Sequence, residues 1–205
     1  MNGITPEQRA ALAKLAPALE PGTYLAGGVA AGIALGHRLS KDLDLFVPAD
    51  FDEDRLAERL AATVPDARVV GRGPATLHLE VDGVPTSILS YRYPSLSPPR
   101  AHGGLAVPVV SLDDLVCMKL SAIAGRGAAK DFWDLERLLD HGAAGGSLAG
   151  AIERFRTKFG REDLGHVIRS LAYFGDADAA PLPAGLDGLV WEEIKQRVRD
   201  RVRGL

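Results

Sequence analysis

Two carboxylates at alternate positions, Asp42 and Asp44, follow a glycine pair, Gly27-Gly28, after a short spacer. The first segment reads Tyr24-Leu25-Ala26-Gly27-Gly28, and the second His37-Arg38-Leu39-Ser40-Lys41-Asp42-Leu43-Asp44-Leu45-Phe46. Strand side chains alternate between faces, so Asp42 and Asp44 point one way while Leu43 and Leu45 point into a core. Two neighbouring carboxylates repel each other unless a cation lies between them. An all-oxygen pair suits Mg²⁺ (or Mn²⁺), which takes its remaining ligands from water and substrate phosphates. A glycine pair opening a helix leaves backbone N–H groups facing a phosphate. Together these features describe a metal–triphosphate site.

Four side chains surround the acidic pair. Arg38 either contacts phosphates or pairs with an acid to hold the loop. Ser40, two residues before Asp42, shares the acidic face on a strand. It could donate to a phosphate or be a modification point, where an added phosphate would repel substrate. His37 is read as structural ahead of a general base, and Lys41 adds a local positive charge. Farther on, Lys119 is the one charged residue in the stretch from Leu115 to Gly125. It must reach solvent or meet an anion, and a triphosphate is such an anion. The run Arg126-Gly127-Ala128-Ala129-Lys130-Asp131-Phe132-Trp133-Asp134 places Asp131 and Asp134 on one helix face. These acids complement a helix N-terminus, yet Arg126 and Lys130 beside them call for more. Asp131 either accepts a proton from an attacking hydroxyl or orients Lys119. The chemistry expected of the set is nucleotidyl transfer, with Asp42 and Asp44 holding a metal against an NTP triphosphate for in-line attack at the α-phosphorus.

The elements that must position these groups are legible as well. Thr5-Pro6-Glu7-Gln8 opens a helix with a capping pattern, and Pro21-Gly22 ends that segment. A strand, the glycine turn, a short helix and the acidic strand follow. Asp50 to Val64 reads as a helix and Arg68 to Val70 as a short strand. Thr76 to Val81 and Val84 to Tyr91 flank Asp82-Gly83, a two-residue hairpin signal. A Pro-rich loop over 94–104 precedes a last short strand, Ala106 to Val110. After the capping box Ser111-Leu112-Asp113-Asp114 the pattern turns helical, with helices over 115–124, 129–141, 147–159, 162–173 and 190–203. The expected fold is α+β: a mixed-sheet domain with flanking helices over 1–110, then a helical domain over 111–205.

Composition narrows the function classes. A chain of 205 residues with 46% hydrophobic and 25% charged residues is ordinary for a globular protein with a full core. One cysteine, Cys117, permits no internal disulfide and reads as a buried thiol rather than a nucleophile. Met1 to Leu19 reads as a charged amphipathic helix without an apolar signal core, and no stretch reaches the roughly 20 apolar residues of a membrane span. A cytoplasmic protein with no membrane partner is expected. A net charge of −3 does not suggest general nucleic-acid binding. The C-terminal run Lys195, Arg197, Arg199, Arg201 and Arg203 is either a phosphate-binding face or a solvated last helix whose cations complement its dipole.

These motifs resemble the AbiEii/AbiGii nucleotidyltransferase toxins of the DNA polymerase β-like nucleotidyltransferase superfamily. The matching elements are Gly27-Gly28 with Asp42-Leu43-Asp44, Leu115-Val116-Cys117-Met118-Lys119-Leu120-Ser121-Ala122, and Lys130-Asp131-Phe132-Trp133-Asp134. Ser170 to Asp178 and Trp191 to Lys195 extend the likeness over nearly the whole chain. The resemblance implies a nucleotidyltransferase sheet domain and a helical domain with the active site between them. It implies a toxin role beside an antitoxin, in type IV toxin–antitoxin or phage-defence systems, with tRNA 3′ ends as acceptors in some relatives. It assigns metal to Asp42 and Asp44, triphosphate to Lys119 and catalysis to Asp131; Gly27, Gly28, Arg38, Ser40 and Lys130 complete the nucleotide site. A third carboxylate is common in the superfamily on a later strand, yet Val84 to Tyr91 offers Thr86, Ser87 and Ser90 and no acid, leaving Glu80 or Asp82 across the hairpin. The family's fourth motif is echoed only by Glu193-Ile194 and Gln196. The alternative reading is therefore a catalytically weak or inactive module that binds nucleotide or a partner.

Overall fold

The computed structural model describes residues 3–205, so the Met1-Asn2 part of the expected first helix lies outside it. The chain forms two compact units, the first ending at Ser111 and the second spanning Leu112–Leu205.

The first unit holds α1 (Pro6–Leu15), β1 (Tyr24–Ala26), α2 (Gly27–Leu35), β2 (Leu43–Val47), α3 (Glu53–Thr63), β3 (Ala67–Gly73), β4 (Thr76–Val81) and β5 (Val84–Ser90). The strands form one sheet in the order β1-β2-β5-β4-β3. β2 and β5 run parallel, and the other neighbours run antiparallel. Parallel pairing needs a long crossover, which α3 and the β3–β4 hairpin supply. Asp82 and Gly83 both take positive φ, 50° and 78°, as a two-residue turn matching strand twist requires. Alternation sets the faces: Leu43, Leu45 and Val47 are buried with Leu77, Leu79, Val81 and Ile88, and they pack in one core with Leu12, Leu15, Leu56 and Leu60. Asp44, Phe46 and Ser87 take the other face.

The strand expected over Ala106–Val110 reduces to single bridges, Leu25 with Val109 and Arg100 with Val109. Pro108 has no N–H to continue a ladder; its carbonyl accepts from Leu25 N, and Val110 N donates to Leu25 O. The helix expected from Asp50 starts later, because the Asp52 carboxylate caps it by accepting from Asp54 N and Arg55 N.

The second unit is helical: α4 (Leu112–Arg126), α5 (Ala129–Asp140), α6 (Leu148–Phe159), α7 (Gly165–Leu171), α8 (Gly175–Ala179) and α9 (Gly188–Arg203). Leu115, Val116, Leu120, Phe132, Leu135, Leu138 and Phe155 are buried in it. Among the described residues no helix is long and apolar enough to cross a membrane.

Candidate active site

In the first unit the site is built on the turn from β1 into α2. Gly27 takes φ +65°, and α2 starts on it without a side-chain cap at Ala26, leaving first-turn N–H groups for other acceptors. Ala26 pairs with Asp44 across β1 and β2, which brings the carboxylate onto the glycine. A Cβ added at Gly27 would lie 1.9 Å from Asp44 Oδ2, 2.7 Å from its Cγ and 2.8 Å from its Cβ. At Gly28 a Cβ would lie 2.3 Å from Ser40 Oγ and 3.1 Å from Arg38 Nη2. The glycines thus leave room for a carboxylate, a hydroxyl and a guanidinium at one helix start. Arg38 is only 6% exposed, an unusual setting for arginine. The structure brings together Gly27, Gly28, Arg38, Ser40 and Asp44. Asp42 is exposed, one residue ahead of β2.

Asp44 sits in a row that continues to Ser87 on β5 and His78 on β4. His78 Nδ1 lies 3.0 Å from Ser87 Oγ, so a hydroxyl–imidazole pair occupies the strand position beside Asp44. Glu80 shares this face two strands from β2 and pairs with Arg68 at 3.3 Å. Asp82 sits in the hairpin turn, bound to Lys14 at 2.8 Å. Among the described residues no group of three His, Cys, Asp or Glu side chains is placed to hold a metal. The Asp44 carboxylate at the start of α2, with Asp42 exposed two residues before it, still fits Mg²⁺, an oxygen-seeking cation that takes one or two protein carboxylates and completes its shell with water and phosphates.

The second unit contains a buried charge cluster. Lys119 on α4 lies two helical turns before Arg126, so both meet the first turns of α5 from one side. Lys119 Nζ is 3.1 Å from Asp131 Oδ1 and 2.6 Å from Asp134 Oδ2; the lysine side chain is 5% exposed and both acids are fully buried. Arg126 grips Asp131 through Nε at 2.8 Å and Nη2 at 2.9 Å. Lys119 therefore meets anions within its own unit rather than reaching solvent. Both Asp131 oxygens accept hydrogen bonds from cations, the geometry of a group that orients Lys119. Lys130 is half-buried beside them.

Other candidates resolve structurally. Cys117 is buried, and its thiol is pushed up to about 12, chiefly by burial, which removes it as a nucleophile. The basic C-terminal run is largely matched by acids: Arg197 and Arg201 bind Glu136 and Asp140, Arg203 binds Asp200, and Lys195 binds Asp178 and Glu192. That favours the solvated-helix reading over a phosphate face. Burial raises the Glu136 carboxyl against the pull of its two arginines. Two features escaped the sequence reading. Asp114 and Lys158 form a buried pair at 2.6 Å, 44 residues apart. Gln8, legible only as a capping residue, reaches the loop ahead of Asp42.

The model of the family described as nucleotidyl transferase AbiEii toxin, type IV toxin–antitoxin system, matches residues 10–102 and 67–204. An uncharacterized protein of Aquifex aeolicus (strain VF5) is 33% identical over 215 residues, spanning 99% of this chain and 98% of the relative. The structure is similar to MenT4, a nucleotidyltransferase toxin from Mycobacterium tuberculosis H37Rv, with a TM-score of 0.66 at 16% identity over 97% of this chain and 82% of that one. It is also similar to the antibiotic-resistance factor ANT(2″)-Ia, with a TM-score of 0.54 at 18% identity over 75% of this chain and 93% of that one. At such identities the two structures share a fold with this chain.

Proposed function

The chain belongs to the AbiEii nucleotidyl transferase toxin family of type IV toxin–antitoxin systems, and from that premise we propose that it transfers a nucleotide from an NTP to an RNA acceptor, tRNA first among them, with Mg²⁺ at Asp42 and Asp44. The observation that carries this reading is the approach of Asp44, Ser40 and Arg38 to the Gly27-Gly28 turn. Bound at the two carboxylates, Mg²⁺ would neutralise triphosphate charge and favour in-line attack at the α-phosphorus. The chain's own groups do the rest. First-turn N–H groups of α2 face phosphate oxygens, Ser40 Oγ donates to one of them, and the Arg38 guanidinium adds fixed positive charge. Lys119 and Lys130 are the basic residues of the helical unit that this reading carries over from the family resemblance, with Lys119 paired there to Asp131 and Asp134. Asp131, held by Lys119 and Arg126, orients Lys119 rather than serving as a free base. A cognate antitoxin is the partner that the family membership favours.

Expression in a bacterial host tests this reading. Wild type is expected to arrest growth, while Asp42→Ala and Asp44→Ala relieve the arrest at equal protein level. Arrest by both variants would refute it. One observation favours the alternative of a binding module: Ser87, not an acid, stands beside Asp44 on β5. That alternative predicts saturable Mg²⁺–NTP binding with no transfer to RNA or protein.

A further inference from the structure

We propose that Gln8 is a positioning residue for the acidic loop: its buried carboxamide clamps the Ser40–Lys41 backbone and so sets where the Asp42 carboxylate stands. The proposal rests on the nucleotidyl-transfer reading above. Gln8 lies in α1, is 3% exposed, and is 34 residues from Asp42 in sequence. Its Oε1 accepts from Thr5 N at 3.0 Å, closing the capping box. Its Nε2 donates to Ser40 O at 2.7 Å and Lys41 O at 3.2 Å. Capping alone needs only the oxygen, and glutamate would supply that equally well. The two donors serve the loop, and only the amide provides both functions.

What the clamp holds is mechanistically placed. Residues 36–42 lie outside the helices and strands. The Lys41 carbonyl shares a rigid peptide plane with Asp42 N, so fixing that oxygen fixes the plane from which Asp42 projects. Ser40 is held from its other side as well, its Oγ resting where a Cβ on Gly28 would be. The loop is thereby held between α1 and the start of α2. A carboxylate at position 8 would instead face two carbonyl oxygens.

Two variants separate positioning from helix capping. Gln8→Glu keeps an acceptor for Thr5 N but removes both loop donors. Thr5→Val removes the cap hydroxyl, which accepts from Gln8 N at 3.2 Å, and leaves the loop donors in place. In Q8E the half-saturating Mg²⁺ for transfer is expected to rise about tenfold and kcat/KM to fall roughly 10- to 100-fold, the cost of a displaced catalytic group. T5V is expected to stay within about twofold of wild type on both. Hydrogen–deuterium exchange supplies a readout independent of activity: backbone amides over 40–43 should exchange about tenfold faster in Q8E and at the wild-type rate in T5V. Unchanged Mg²⁺ dependence and exchange in Q8E, or equal changes in both variants, would overturn the proposal. If Q8E does not fold, Gln8→Met, close in volume and lacking any donor, takes its place with the same expectations. A wild-type protein without transfer would contradict the transferase reading, while the exchange comparison would still decide the role of Gln8.

Discussion

Gly27→Ala tests the construction of the glycine turn, and Gly83→Ala provides its internal control. Both glycines take positive φ, 65° and 78°, so both variants carry the left-handed penalty of about 1 kcal/mol. They differ in what the new methyl meets. At Gly83 nothing lies within 4 Å, whereas at Gly27 the methyl would overlap the Asp44 carboxylate, Cγ and Cβ together. Rotating Asp44 about χ1 cannot move its Cβ, 2.8 Å away, so the backbone of β2 or α2 must shift. Forced overpacking of this kind costs about 1–3 kcal/mol beyond the backbone term. In equilibrium urea unfolding, G27A should therefore lose about 2–4 kcal/mol and G83A about 1 kcal/mol. Adding Asp44→Gly to G27A should recover part of the excess, giving a coupling of about 1–2 kcal/mol in the double-mutant cycle. Equal losses in G27A and G83A, with no coupling to residue 44, would refute the claim that Asp44 is seated on Gly27.

Three further predictions concern the helical unit. Lys119→Met removes the ammonium that two buried carboxylates share, and breaking a buried pair in this way costs about 3–5 kcal/mol; a loss below about 1 kcal/mol in urea unfolding would contradict the cluster as described. The Asp178 carboxyl is held below its ordinary value of 3.8, first by the hydrogen bond from Trp191 Nε1, so its contribution is present above that pH and lost as pH falls through the lower folded value. The stability gap between wild type and Asp178→Asn should therefore shrink between pH 4 and pH 2.5; a constant gap contradicts it. Cys117 should resist a thiol-specific reagent at pH 8 in the native protein and react fully in urea, and rapid native labelling would contradict its burial.

Much of this architecture was legible in the sequence because it rests on local rules. Alternation around Asp44 fixed the faces of β2, Asp82-Gly83 fixed the β4–β5 hairpin, and the capping pattern at Thr5 placed α1, whereas α8, which has no side-chain cap, was not expected. Asp131 and Asp134 were readable as one helix face for the same reason. Contacts that depend on distant chain segments were not. Gln8 satisfies a local capping pattern completely, so nothing local signals its two donors to Ser40 and Lys41. Asp114 and Lys158, 44 residues apart, each look like surface charges on amphipathic helices until α4 packs on α6. The strand expected over Ala106–Val110 failed because an apolar run cannot reveal that it meets Leu25 and Arg100 only through single bridges at Val109 and that Pro108 interrupts the ladder. The basic run of α9 was ambiguous because its matching acids, Glu136 and Asp140, lie on α5.

The most direct test of the central claim is transfer itself. Purified protein is incubated with Mg²⁺, each labelled NTP in turn and total tRNA, alongside Asp42→Ala and Asp44→Ala. Label on tRNA from at least one NTP is expected in wild type, lost in both variants and on chelation of the metal. Label that persists in both variants would contradict the assignment of Asp42 and Asp44. Saturable NTP binding with no label on tRNA, other RNA or the protein would contradict nucleotidyl transfer and leave a binding module.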